Sequence, residues 1–221
     1  MKRLLLGTIA ALAVIGPAVA DDITLRATAD NVLVDTLDSG GLPFLDVSNT
    51  AFGSAFNLNS LTLNSRGSLT APDELKTNTL DVQGIISGMH TLVLDIVASG
   101  LTGTGSLQSF LNEFSVTGLT SGWSVTEQTK INGVVQATTP AITANSASAD
   151  VTTTALESNP FSAEAIYTIS TNGLGSFNGG IDIQAVAVPS PILGAGIPGL
   201  IIGLGVLGFA ASRRQPDGAV V

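Results

Sequence analysis

The side chains with chemistry to offer are few. His90 is the one histidine and cysteine is absent, so a histidine-dependent triad would have to be built on His90 alone. Thiolate and multi-histidine metal sites are ruled out by count. No Gly-x-Ser-x-Gly elbow occurs, and His90 opens an apolar run, which reads as a structural histidine. Asp35, Asp38 and Asp46 around Gly40-Gly41, with the adjacent Asp21-Asp22, offer the oxygens that calcium takes. They match neither an EF-hand loop nor a repeated Gly-Gly-x-Gly-x-Asp pattern, so they read as solvated carboxylates, and neither a metal nor a cofactor is expected. A paired-carboxylate glycosidase would draw on five glutamates, Glu74, Glu113, Glu127, Glu157 and Glu164. Sugar clefts are usually lined by aromatic rings, and the chain has one tryptophan and one tyrosine. Trp123 follows a glycine at the start of a strand. It reads first as a core residue and second as a stacking platform, which makes it the candidate ligand-binding residue.

The elements that would position these groups are strands. Between residues 21 and 187 threonine, valine, serine, glycine and asparagine dominate and long helix-favouring runs are missing. The stretch from Asp22 to Thr28 alternates apolar and polar residues, and Asn57 to Asn64 partly repeats the pattern, with Leu61 and Leu63 on one face. Three pairs read as hairpins. Trp123 to Ile131 and Val134 to Thr138 flank Asn132-Gly133, a dipeptide that tolerates positive φ at both turn positions. Thr79 to Ile86 and His90 to Ala98 flank Ser87-Gly88. Ala163 to Ser170 and Gly180 to Val188 make a last pair. One short helix is expected at Ser106 to Phe114, where Leu107, Phe110, Leu111 and Phe114 fall at i, i+3, i+4 and i+7 behind a Ser106 N-cap. Thr70 to Thr77 and Thr138 to Ser158 read as loops, the second with an alternative strand at Ala147 to Thr154. The expected fold is all-β, an antiparallel sandwich of jelly-roll or immunoglobulin-like type. At 167 residues the segment suits one domain. Sixteen acidic against four basic side chains give it a net charge of −12, which repels phosphate backbones and excludes nucleic acid as a partner.

Both ends of the chain read as targeting segments. Lys2 and Arg3 precede an apolar run from Leu4 to Ile15, Pro17 breaks it, and Ala18-Val19-Ala20 gives a small-x-small cleavage pattern. Residues 1–20 are therefore read as a signal-peptide helix, cut after Ala20. At the other end Val188-Pro189-Ser190-Pro191 precedes an uncharged run from Ile192 to Ala211, followed by a basic tail, 212–221, with Arg213 and Arg214. Twenty residues rise about 30 Å as a helix, the thickness of the hydrocarbon core. The paired arginines favour the cytoplasmic side, which leaves the preceding domain outside. Glycines at 194, 196, 199, 203, 205 and 208 and Pro198 make the run weakly apolar, and Gly199 with Gly203 would let another membrane helix approach closely.

This order of proline motif, apolar helix and arginines resembles the C-terminal sorting signal of the PEP-CTERM class, which exosortases read. The stretch Gly194-Ala195-Gly196-Ile197-Pro198-Gly199-Leu200 is similar to a glycine-rich variant of that signal, and Ser190 stands where the signal usually has glutamate. The resemblance implies cleavage near Val188 to Pro191 by a multi-spanning cysteine transpeptidase in the membrane, then transfer to the surface or matrix of a Gram-negative bacterium. The block from Thr91 to Val125 with Gly122 to Glu127, and Asn159 to Ser162 leading to Ile166 to Ile169, also resembles small ectodomains of no assigned activity that carry this signal.

Residues and resemblance together lead to a reading without catalysis. The chain is expected to be an exported cell-surface or extracellular-matrix structural protein, held at least transiently by one membrane helix. A module that binds exopolysaccharide or another surface partner is the alternative, and a glycan hydrolase the third.

Overall fold

The computed structural model describes residues 22–65 and 73–186. Signal cleavage at Ala18 and Ala20, the Val188 to Pro191 motif, the 192–211 span, and Arg213 and Arg214 lie outside the described residues. So do both expected terminal helices.

Twelve strands make up the described chain. They are β1 (Asp22–Ala29), β2 (Val32–Asp38), β3 (Phe44–Phe52), β4 (Phe56–Asn64), β5 (Asp73–Gly84), β6 (His90–Leu101), β7 (Ser106–Leu119), β8 (Ser124–Ile131), β9 (Val134–Thr138), β10 (Ala147–Glu157), β11 (Phe161–Thr171) and β12 (Gly175–Val186). They form two six-stranded sheets, ordered β2-β1-β6-β11-β8-β9 and β10-β7-β12-β5-β4-β3. Within each sheet every neighbouring pair runs antiparallel. Period-two burial is what makes these segments strands: β1 buries Ile23, Leu25, Ala27 and Ala29, and β6 buries Leu92, Leu94, Ile96 and Ala98. The inner faces supply one continuous core that includes Phe110, Phe114, Trp123, Tyr167 and Phe177.

The sandwich expected from the sequence is present, and so is the turn at Asn132-Gly133. Both of its residues take positive φ, 51° and 73°, and β8 pairs with β9 across it. The alternative strand at 147–154 is the core of β10, and β5 already begins at Asp73 inside the expected 70–77 loop.

Three expectations are corrected. Ser106 to Phe114 is not a helix but the first part of β7, the longest strand. Its inner face is Phe110, Asn112, Phe114 and Val116. A polar asparagine in that row hid the period of two, while Leu107, 68% exposed, supplied a false helical match. Ser87-Gly88 does not close a hairpin either. β5 pairs with β4 and β12, and β6 with β1 and β11, so residues 85–89 carry the chain from one sheet to the other. The pair at 163–170 and 180–188 separates in the same way, β11 into one sheet and β12 into the other. An apolar run that stops and restarts looks alike in both cases, because only long-range pairing tells a hairpin from a crossover.

Trp123 closes one end of the core. It sits in the turn before β8, fully buried, and its ring lies over Gly84 at the end of β5. A Cβ on Gly84 would come 2.7 Å from Trp123 Cζ2 and 3.2 Å from the Gly173 carbonyl oxygen, so only glycine fits. Gly84→Ala is expected to cost about 1–3 kcal/mol through overpacking, read as a lower urea midpoint. An unchanged midpoint would mean that the indole can shift without loss.

Candidate functional site

Burial settles what Trp123 can do. With no exposed surface, its indole presents no face to a sugar, so the stacking role is withdrawn in favour of the core role. His90 is likewise structural in its contacts. Its Nδ1 lies 2.8 Å from Asp30 Oδ2, Asp30 Oδ1 accepts from Thr91 N at 2.9 Å, and its ring meets Phe56 edge-on at 6.4 Å. These contacts fasten the β1–β2 turn to the start of β6. The His90 hydrogen bond, then that from Thr91, hold the Asp30 pKa below its ordinary value.

The carboxylates considered for calcium are used locally. Asp22 Oδ1 accepts from Ser39 Oγ at 2.9 Å and Gly41 N at 3.1 Å. Asp38 Oδ1 accepts from Gly40 N at 2.6 Å, and Asp35 Oδ1 from Thr36 N at 2.8 Å. Asp46 projects from β3 into solvent. Among the described residues no three histidine, aspartate or glutamate side chains converge as metal ligands would.

Inside the sandwich lies a polar layer that the sequence did not announce. Asn112 on β7 is fully buried. Its Oδ1 accepts from Thr129 Oγ1 on β8, in the facing sheet, at 2.7 Å, and its amide donates to Val151 O and Thr153 Oγ1 on β10 at 3.0 and 3.1 Å. A second cross-sheet bond joins Thr77 on β5 to the Tyr167 hydroxyl on β11, and Thr77 Oγ1 also accepts from Ile181 N at 2.6 Å. Burial, then the nearby Glu127, drive the Tyr167 pKa well above its ordinary value. Glu127 stands opposite Tyr167 in the β8–β11 ladder. It points inward, fully buried, and neither of its carboxyl oxygens has a hydrogen-bond partner. Burial pushes its pKa up to about 8.

The outer face of the β2-to-β9 sheet carries a smaller acid pair. Burial first, then the neighbouring Glu164 carboxylate, raise the Asp95 pKa. Glu164 accepts from Lys130 at 2.6 Å, so the lysine offsets the charge of this pair.

The outer face of the second sheet is hollowed. A groove of about 390 Å³ crosses β10, β7, β12 and β5. Its floor is set by register: Asp150 lies opposite Glu113, Glu113 opposite Asp182, and Asp182 opposite Lys76. Two residues along, Ser148 faces Ser115 and Ser115 faces Gly180. The hollow coincides with irregular register in β12 on both sides, between Asn178 and Gly179 toward β7 and between Gly179 and Asp182 toward β5. Lys76 Nζ reaches Asp182 Oδ2 at 2.5 Å. Gln184 Nε2 donates to Glu113 Oε2 at 2.8 Å and to Asp182 Oδ2 at 3.1 Å. Chemically this is a surface of acceptors, suited to ligands that bring hydroxyl or ammonium donors. Of its charged residues only Glu113 stood out in the sequence, because only strand register aligns the row.

No family model matches the chain, and no curated protein does either.

Glu127 sets a pH dependence. The folded state keeps its proton up to about pH 8, while the unfolded chain gives it up near the ordinary 4.5. Its contribution to stability is therefore full below pH 4.5 and declines as the pH rises toward 8, by a few kcal/mol in all. In Glu127→Gln this decline is expected to vanish, so urea-unfolding free energies of the two proteins diverge across that window. A constant difference would show that the carboxyl has a partner.

Proposed function

We propose that this chain is an exported structural protein of the cell surface or extracellular matrix, without catalytic activity, sorted through its C-terminal segment. The sequence pattern of residues 1–20 supports export, and the proline motif, apolar run and arginines of 188–214 support sorting by an exosortase-type transpeptidase.

One observation carries the reading furthest. The domain is entered and left at the same end. β1 starts with Asp22 beside Ser99, near the finish of β6, and β12 finishes with Val186 beside Ser109, near the start of β7. The turns at 30–31, 53–55, 85–89, 120–123 and 172–174 gather at the opposite end. A tether following Val186 would hold the sandwich by one end and present the other outward. That outward end carries exposed Val32, Leu33, Ile85, Met89 and Leu174 and, among those turns, no charged residue but Asp30.

The test is to replace Val188, Pro189, Ser190 and Pro191 by alanine in the producing cell and to measure intact mass in each fraction. The unaltered protein is expected at the surface or in the matrix, beginning at Asp21 and shortened near the proline motif. The altered one is expected to stay in the membrane fraction at its longer mass. Recovery of the unaltered protein from the cytosol with Met1 in place would end this reading.

A further inference from the structure

We propose that β10 is a docking edge for the β10 of a second copy, so that two sandwiches join through one continuous antiparallel sheet. A sheet edge is a row of unpaired amides and carbonyls, and folded proteins keep it from pairing by shortness, bulges, proline or lysine. Three of the four edges here are broken in such ways. β2 loses register with β1 between Ala27 and Thr28. β9 has five residues and slips against β8 between Thr129 and Lys130, and β3 is interrupted at Asn49, whose φ is 50°. β10 has none of these. Its 11 residues follow β7 in one unbroken register, without proline or lysine. Among the described residues no strand pairs with its other side.

The direction of the main chain shows which groups are open. Val151 O accepts from the Asn112 side chain on β7 at 3.0 Å, so Val151 faces its neighbour. Leu156 O accepts from Asn132, in the β8–β9 turn, at 2.9 Å, so Leu156 faces away. Alternation along an antiparallel ladder then directs the amides and carbonyls of Ser148, Asp150, Thr152 and Thr154 outward. A second observation is independent of the backbone. Ala149 and Val151 stand opposite the buried Phe114 and Asn112, on the side that faces the interior, yet both are exposed. β10 thus overhangs the facing sheet, with an apolar inner side left uncovered and room for a further strand.

The side-chain pattern selects the partner. Paired antiparallel to itself about Thr152, the strand uses all 11 of its residues. Thr152 then meets Thr152, Val151 meets Thr153, and Asp150 meets Thr154, whose hydroxyl can donate to the carboxylate. Glu157 meets Ala147, so no carboxylate stands opposite another. In a domain with 16 acids against four bases this is a property of the particular strand. β2 paired about its own centre would set Asp35 against Asp35. Self-pairing of β10 turns the two domains end for end, so their Val186 ends point in opposite directions. Copies held at Val186 on one flat surface cannot meet in this way, whereas copies on facing surfaces, or released ones, can. The pairing itself does not depend on where the protein resides.

The test is sedimentation velocity of the full-length protein in mild detergent at rising concentration, with hydrogen exchange read on a peptide covering 147–157. The unaltered protein is expected to pass from monomer to dimer while exchange in that peptide slows. Thr152 is exposed, so Thr152→Glu keeps the fold, which an unchanged melting temperature checks. It sets two carboxylates against each other at the centre of the pair and is expected to weaken dimerisation at least about tenfold. Mixing it with Thr152→Lys is expected to restore a one-to-one dimer, because in this register residue 152 meets its own counterpart. A monomer at every concentration overturns the proposal. So does a dimer whose exchange at 147–157 is unchanged, or one that Thr152→Glu leaves intact. Failure of the mixture to restore pairing overturns the register about Thr152.

Discussion

Among the described residues two hydrogen bonds span the core from sheet to sheet, Thr129 to Asn112 at 2.7 Å and Thr77 to Tyr167. The rest of the architecture depends on the alignment they fix. With no cysteine in the chain, nothing covalent ties the sheets together, and apolar packing alone tolerates sliding. A buried polar pair does not, because displacing one sheet would strand a donor and an acceptor in a medium that cannot replace them. These bonds join elements far apart in sequence: Thr77 and Tyr167 are separated by 90 positions. Strands consecutive in the chain repeatedly fall into different sheets, as β5 and β6, β6 and β7, and β11 and β12 do. Such topologies fold through distant contacts and therefore slowly.

That reliance on distant contacts explains what the sequence revealed and what it hid. Alternation in Asp22 to Thr28 and the Asn132-Gly133 turn were legible because each is decided within a few residues. The class of fold followed from the same local signals. The partners of β5, β6, β11 and β12 were not legible, since a strand's neighbours are chosen by its whole surface and not by the turn that precedes it. Asn112 shows the other failure. A buried polar residue satisfied by Thr129, Val151 and Thr153 breaks the hydrophobic rhythm that marks a strand, and the remaining pattern imitates a helix. The groove was the least legible feature. Asp150, Glu113, Asp182 and Lys76 are spread over more than a hundred positions, and register alone places them side by side.

The two outer faces and the interior manage negative charge differently. On one face Lys130 lies against Glu164 and offsets the Asp95–Glu164 pair, whose crowding and burial raise the Asp95 pKa. In the interior Glu127 remains neutral because ionising it would place an unsolvated charge among apolar side chains. On the other face the row through Glu113 is compensated by Lys76 and by the amide of Gln184. An acidic chain with few bases thus meets its negative charge differently in each place.

β12 has a double position: it supplies Gly180 and Asp182 to the groove floor and also ends the domain at Val186. It lies within its sheet, hydrogen-bonded to β5 on one side and β7 on the other. A pull on the chain beyond Val186 would run lengthwise along this strand. Its rungs on both sides would then share the load in shear instead of opening one after another like a zipper. In that direction β12 would be resisted by its ladders to β5 and β7 together.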